Sequence, residues 1–300
     1  MVGAKSAITR RRNVKKQAGL AMICCALAVL LAAPRAFAHM LWLNPSNQAP
    51  KVGETVDVGI GWGHTFPAGR IDQEVKDDAI EEITALDPDG QTVQLEQESK
   101  SNYKLKVEKE GVYLVSARIK PVSFSLTAEG RKIGDKKQVQ NADKCTSFNM
   151  SAKALVVAGD GSKNLSTPTK LPLELVPLKN PASLKKGDVL PVKVTFNGEP
   201  LAGMTLKATH AGYEEPAAAA PAAEKPATTQ GEASKGEAGK EHKGGPSYPF
   251  ETVTDAKGEA SIKLDSAGWQ LVVLSHKTPY PDAEVCDESM YSETFTFEVK

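Results

Sequence analysis

Beyond residue 38 the chain is written in short runs rich in Val, Ile, Thr and Leu. They are broken by Gly, Pro, Asp or Asn at intervals of about ten residues, a spacing that reads as strands and turns. No stretch there sustains a 3.6-residue apolar period, so helices are few and the fold class is all-β. Asp87-Pro88-Asp89-Gly90, set between the apolar runs 82–86 and 91–95, is a tight-turn signal that joins two of these strands.

Two pairs of segments echo one another. Residues 106–115 and 263–272 share a pattern in which a strand ends at a Gly-containing turn and an aromatic-bearing core strand follows. Upstream of them, Lys51-Val52-Gly53-Glu54 resembles Lys185-Lys186-Gly187-Asp188. The echo predicts two tandem β-sandwich domains of Ig-like or prealbumin-like kind. Their expected extents are 39–168 and 169–300, with the boundary at the polar break Ser166-Thr167-Pro168-Thr169. Residues 214–247 are low-complexity Ala, Pro, Glu, Lys and Gly, unable to bury enough apolar surface to order themselves, and read as a loop inserted between two strands of the second domain.

Residues 1–38 carry seven Lys or Arg and no acid, followed by a 15-residue apolar run over 19–33 and the small-x-small triplet Ala36-Phe37-Ala38. This is the layout of a cleaved export signal, and the run is short of the about 20 residues a membrane span needs. The chain is expected to be exported across a membrane by ordinary secretion. The whole chain balances 37 bases against 37 acids, so removal of seven bases leaves 30 against 37, a net of −7. A chain without a basic surface is not expected to bind nucleic acid. Cys24 and Cys25 leave with the signal, and the remaining pair, Cys145 and Cys286, reads as a disulfide in an oxidising compartment.

Cleavage after Ala38 makes His39 the first residue. Its α-amine and imidazole then sit on one residue and can close a chelate ring on zinc, copper, nickel or iron. His64, in Gly61-Trp62-Gly63-His64-Thr65-Phe66, follows an expected strand over 55–60 and is flanked by residues that let the backbone approach closely. His276 is expected to end a core strand over 270–275 and to enter an acidic loop over 277–288 held by Cys286, which makes it the third candidate ligand. His210 ends the strand before the insert, and His242 lies within the insert, where a solvated role is the simpler reading.

The chain carries no phosphate loop, no HExxH helix and no nucleophile elbow, so it is read as a binding protein and not as an enzyme. A copper oxidase built on His39, a second His and an axial aromatic (Tyr291, Phe295 or Phe297) is one alternative. The 17 aromatic residues of the whole chain are few for a flat polysaccharide-binding face. A surface or protein-interaction module without metal is the other.

The stretches Ala38-His39-Met40-Leu41-Trp42-Leu43 and Gly63-His64-Thr65-Phe66 carry a resemblance, which continues through 152–156, 173–181, 198–204 and 254–258 to the closing 291–297. The chain resembles an exported bacterial family labelled as a domain of unknown function, whose members are described as periplasmic components associated with nickel or cobalt uptake transporters. Residues 192–274 also look like the small prealbumin-like modules of carrier and surface proteins. The resemblance implies a two-sandwich periplasmic protein with His39 and His64 as metal ligands, nickel or cobalt as the favoured cargo and a membrane uptake transporter as partner. The ligands alone would also accept copper or zinc.

Overall fold

A computed structural model describes residues 40–63, 66, 79–159, 161–213 and 248–300. The first strands are β1 (Met40–Pro45), β2 (Thr55–Gly63), β3 (Ile80–Leu86), β4 (Thr92–Gln94), β5 (Glu96–Gln97), β6 (Asn102–Lys106) and β7 (Gly111–Ile119). A hairpin of β8 (Val122–Thr127) and β9 (Gly130–Ile133) leads into the long β10 (Lys144–Ala158). After an irregular stretch come β11 (Leu173–Pro177), β12 (Val189–Phe196), β13 (Glu199–Pro200) and β14 (Thr205–His210). The chain closes with β15 (Phe250–Val253), β16 (Glu259–Lys263), β17 (Gly268–Pro279) and β18 (Glu288–Val299). Among the described residues there is no α-helix, and one 3-10 turn at Pro181–Ser183 interrupts the strands.

Three sheets result. The first runs β1-β2-β6-β5, and the third joins β11, β12 and β13, with β16 against β12. Between them lies a ten-stranded sheet in the order β15-β14-β17-β18-β10-β7-β3-β4, with β8 and β9 extending from β10. Its only parallel pairing among the described strands joins β10 to β18, from Thr146 opposite Glu288 to Ala154 opposite Thr296. The two sandwiches therefore share one sheet, and their covering sheets lie on its opposite faces.

The alternation along β10 shows how. Ala152, Ala154, Val156 and Ala158 pack with Leu41, Leu43, Val58 and Ile60 beneath the first sheet. Leu155 and Val157, facing the other way, join Leu173, Leu175, Leu190 and Val192 beneath the third. A strand covered on both faces reads as a continuous apolar run instead of an alternating one, which is how 154–158 is written.

The echoed segments occupy equivalent corners. β6 ends at Lys106 and β7 starts at Gly111; β16 ends at Lys263 and β17 starts at Gly268. Gly53 (φ +96°) donates to the Val107 carbonyl at 2.7 Å, and Gly187 (φ +94°) to that of Leu264 at 2.7 Å. The Asp87–Gly90 turn forms as expected between β3 and β4. Burial works against ionisation of Asp87, but the Lys109 ammonium and the amides of Gln91 and Asp89 outweigh it and hold the carboxyl below its usual range. Cys145 and Cys286 are bonded, tying the start of β10 to the β17–β18 connection across 141 residues of sequence.

Candidate functional site

The end of the first sheet is built from an alternation of glycine. β1 and β2 pair from Met40 opposite Gly63 to Pro45 opposite Val58, so Met40, Trp42 and Asn44 face Gly63, Gly61 and Gly59 across the ladder. Opposed residues share a face, and three glycines leave that face without side chains over 59–63 of β2. The indole of Trp42 fills the space. A Cβ added at Gly61 would stand 2.0 Å from Trp42 Cε2, a separation no packed pair tolerates. Trp42 is fully enclosed, and Phe66 meets it edge-on with ring centres 6.2 Å apart.

The same end carries unused polar atoms. Trp42 Nε1 and Asn44 Oδ1 are buried and have no hydrogen-bond partner among the described residues. The Tyr248 hydroxyl reaches Met40 Sδ at 3.5 Å, and burial pushes the phenol above its ordinary value. Thr294 Oγ1 donates to the Leu41 carbonyl at 2.6 Å and fixes β1 across the shared sheet. His39 and His64, the residues bonded to Met40 and Gly63, lie outside the described residues, as do His242 and the insert 214–247.

His276 sits elsewhere from its expected position. β17 does not stop at Ser275 but stays paired with β18 as far as Pro279 opposite Glu288, so His276 lies within the strand and not at a loop entrance. It opposes Tyr291, and both rings pack against Phe196, with centre distances of 4.8 and 5.1 Å. Tyr291 borders the second core, whereas Thr294 reaches from the other face of β18 to β1. The thickness of the shared sheet thus separates His276 from β1. Phe295 and Phe297 are stacked within that second core, and His210 Nδ1 lies 2.9 Å from the Ala211 carbonyl.

Three of the acids that follow β17 are paired with lysines. Asp287 pairs with Lys136, and Glu288 with Lys144 and Lys277. Asp282 receives Lys137 at 3.5 Å. Asp287 Oδ2 also accepts from the Cys145 amide, so the Lys136 bond and this amide together hold its carboxyl below the usual range. Among the described residues no group of three or more His, Cys, Asp or Glu is placed to hold a metal ion.

Residues 36–278 match the family described as Domain of unknown function (DUF4198), and the chain belongs to it. A search of curated proteins finds no match. Among solved structures, the D00-D0 domain of intimin is similar at 12% identity, covering 83% of this chain and 96% of that one, with a TM-score of 0.19. The D0-D1 domain of intimin is similar at 10% identity over 87% of this chain and 100% of that one, with a TM-score of 0.20. Three N-terminal domains of the bacteriophage RB49 highly immunogenic outer capsid protein (Hoc) are similar at 6% identity, over 86% of this chain and 59% of that one, with a TM-score of 0.17. Likeness at this level says nothing about activity or partners.

Proposed function

We propose that this protein is exported to the periplasm, binds a divalent transition metal through the amine and imidazole of His39 and the imidazole of His64, and delivers it to a membrane uptake transporter. Nickel or cobalt is the favoured cargo. The observation that carries this reading is the pairing of Met40 with Gly63. Partners in an antiparallel ladder stand about 4.5–5.5 Å apart at Cα, so the two residues bonded to His39 and His64 are neighbours at one sheet end. The chelate at a free terminus supplies two nitrogens and His64 a third, a donor set that suits nickel, copper and zinc. The disulfide supports an oxidising compartment. His276 is left out of this reading because it faces the opposite side of the shared sheet.

The test is calorimetric titration of nickel and copper into the protein starting at His39, beside a form with one Gly added ahead of it and a His64→Ala variant. Loss of tight binding in both altered forms is expected. The affinity of the His39 form should fall as pH drops through about 6.5, because protons compete for the same nitrogens. Equal binding by all three forms, or an affinity unchanged between about pH 5 and 8, would overturn the reading.

A further inference from the structure

Where the two sandwiches meet, three ionisable side chains are enclosed: Lys153 on β10, Glu174 on β11 and Glu293 on β18, none more than 2% exposed. Lys153 Nζ donates to Glu174 Oε1 at 2.8 Å and stands 3.7 Å from Glu293 Oε1. Glu174 Oε1 also accepts from the Thr169 amide at 2.6 Å and the Thr169 hydroxyl at 2.7 Å. Glu293 is served differently. Its Oε2 accepts from the Leu175 amide at 2.6 Å, while its Oε1 has no hydrogen-bond partner among the described residues.

The balance of charge is uneven, with one ammonium against two carboxyls. Glu174 has the donors a carboxylate needs, and Lys153 balances it. A second carboxylate in the same enclosure would be an uncompensated buried charge, which proteins avoid by neutralising the group. With Oε2 accepting from the Leu175 amide, Oε1 is the oxygen left to carry a proton. The charged side chains facing Glu293 are Lys153 from β10 and Glu174 from β11; β17 contributes Leu274 directly opposite, and His276 and Tyr291 lie one pair further along the same face.

Position gives the proton a consequence. Among the described strands β11 pairs only with β12 and is the edge of its sheet. The Leu175 amide on its free side is capped by Glu293, so this carboxyl is a direct bond between that edge and the shared sheet. We propose that the Lys153–Glu174–Glu293 cluster is a proton-linked latch: a proton held on Glu293 keeps β11 closed against the shared sheet, and its loss opens that edge to water.

Burial first, then the neighbouring Glu174, push the Glu293 carboxyl up to about 8 against the opposing pull of Lys153 and the Leu175 amide. The sign of the pH effect follows. An acid raised from its ordinary 4.5 keeps its proton in the folded chain after the unfolded chain has lost it. The contribution is full below about 4.5 and is lost as pH rises through about 8.

The experiment compares urea unfolding of the protein and its Glu293→Gln variant at intervals across this window. Relative to the variant, the unfolding constant of the unaltered protein should rise by about tenfold per pH unit from about pH 5 to 8. Parallel profiles would overturn the proposal. Two measurements on the unaltered protein stand if the variant does not fold. The infrared carbonyl band of a protonated carboxylic acid should be present near neutral pH and vanish above about 8; its absence near neutrality sinks the assignment. Hydrogen-exchange protection of the Leu175 amide should fall above about pH 8 while that of Leu114 in the shared sheet is retained; unchanged protection at Leu175 would remove the latch.

Discussion

The two sandwiches turn the same corner with different side chains. In the first, Tyr113 follows Gly111 by two residues, and its hydroxyl accepts from the amides of Glu108 and Lys109 at 3.0 and 2.8 Å. In the second, Gln270 follows Gly268 by two residues, and its amide donates to the carbonyls of Ser266 and Gly268 at 3.1 and 3.2 Å. Both side chains are buried and both secure the turn that precedes their strand. One does so by accepting and the other by donating, so the common element is the corner and not the residue.

The cores they enclose diverge further. The one beneath the first sheet is mainly aliphatic and includes buried Tyr103 and Tyr113, and glycines at 59, 61 and 63 thin the outer face of its covering strand. The one beneath the third sheet holds stacked Phe295 and Phe297, with the ionic cluster of Lys153, Glu174 and Glu293 at its border with the shared sheet. Backbone needs recur in both halves, such as the left-handed glycine and the capped turn. The differences gather where each half departs from the shared scaffold, at a glycine-lined sheet end in the first and at a titratable joint in the second.

The largest expected effect comes from breaking that joint. Lys153→Met removes the only cation facing two buried carboxyls, and disrupting one member of such a group costs about 3–5 kcal/mol. Replacing all three members with Met and Leu is expected to cost less, because desolvation of the charges disappears with them, and what remains is the loss of acceptors for the Leu175 and Thr169 amides. Chemical denaturation of both variants checks the pair of outcomes. A triple variant as damaged as Lys153→Met would show that the second core depends on the charges themselves.

Next in size is the sheet end of the first half. Gly61→Ala drives a Cβ into the indole of Trp42, and overpacking of this kind costs about 1–3 kcal/mol. A shift in the thermal midpoint, with a change in tryptophan fluorescence, is the readout. This site also marks how far the sequence could be read. Gly61-Trp62-Gly63-His64 announces a close backbone approach, yet nothing local says that the approaching group is Trp42, since that depends on the Met40–Gly63 register. The paired corners were legible because Gly at a fixed offset from an apolar run has a local cause. The Asp87–Gly90 turn and the Cys145–Cys286 bond were legible for similar reasons. The buried cluster was not. Lys153 stands in an otherwise apolar run, Glu174 interrupts another, and Glu293 sits among hydroxyl residues; only the parallel pairing of β10 with β18 and the overlay of β11 bring them together. His276 was misplaced because β17 continues past Ser275 through Lys277 and Thr278, whose polar side chains read as loop.

The smallest effect tests the repeat itself. Gly53 and Gly187 have φ values of +96° and +94°, and a Cβ at either would meet nothing within 4 Å. The cost of Ala at each is therefore the left-handed backbone alone, on the order of 1 kcal/mol, with no packing contribution to separate them. Each glycine amide donates to an equivalent carbonyl, Val107 or Leu264, at 2.7 Å. Gly53→Ala and Gly187→Ala should accordingly lower the urea midpoint by the same amount. Unequal shifts would mean that the two corners, alike in conformation and hydrogen bonding, carry different loads, and that stability is not distributed evenly between the halves.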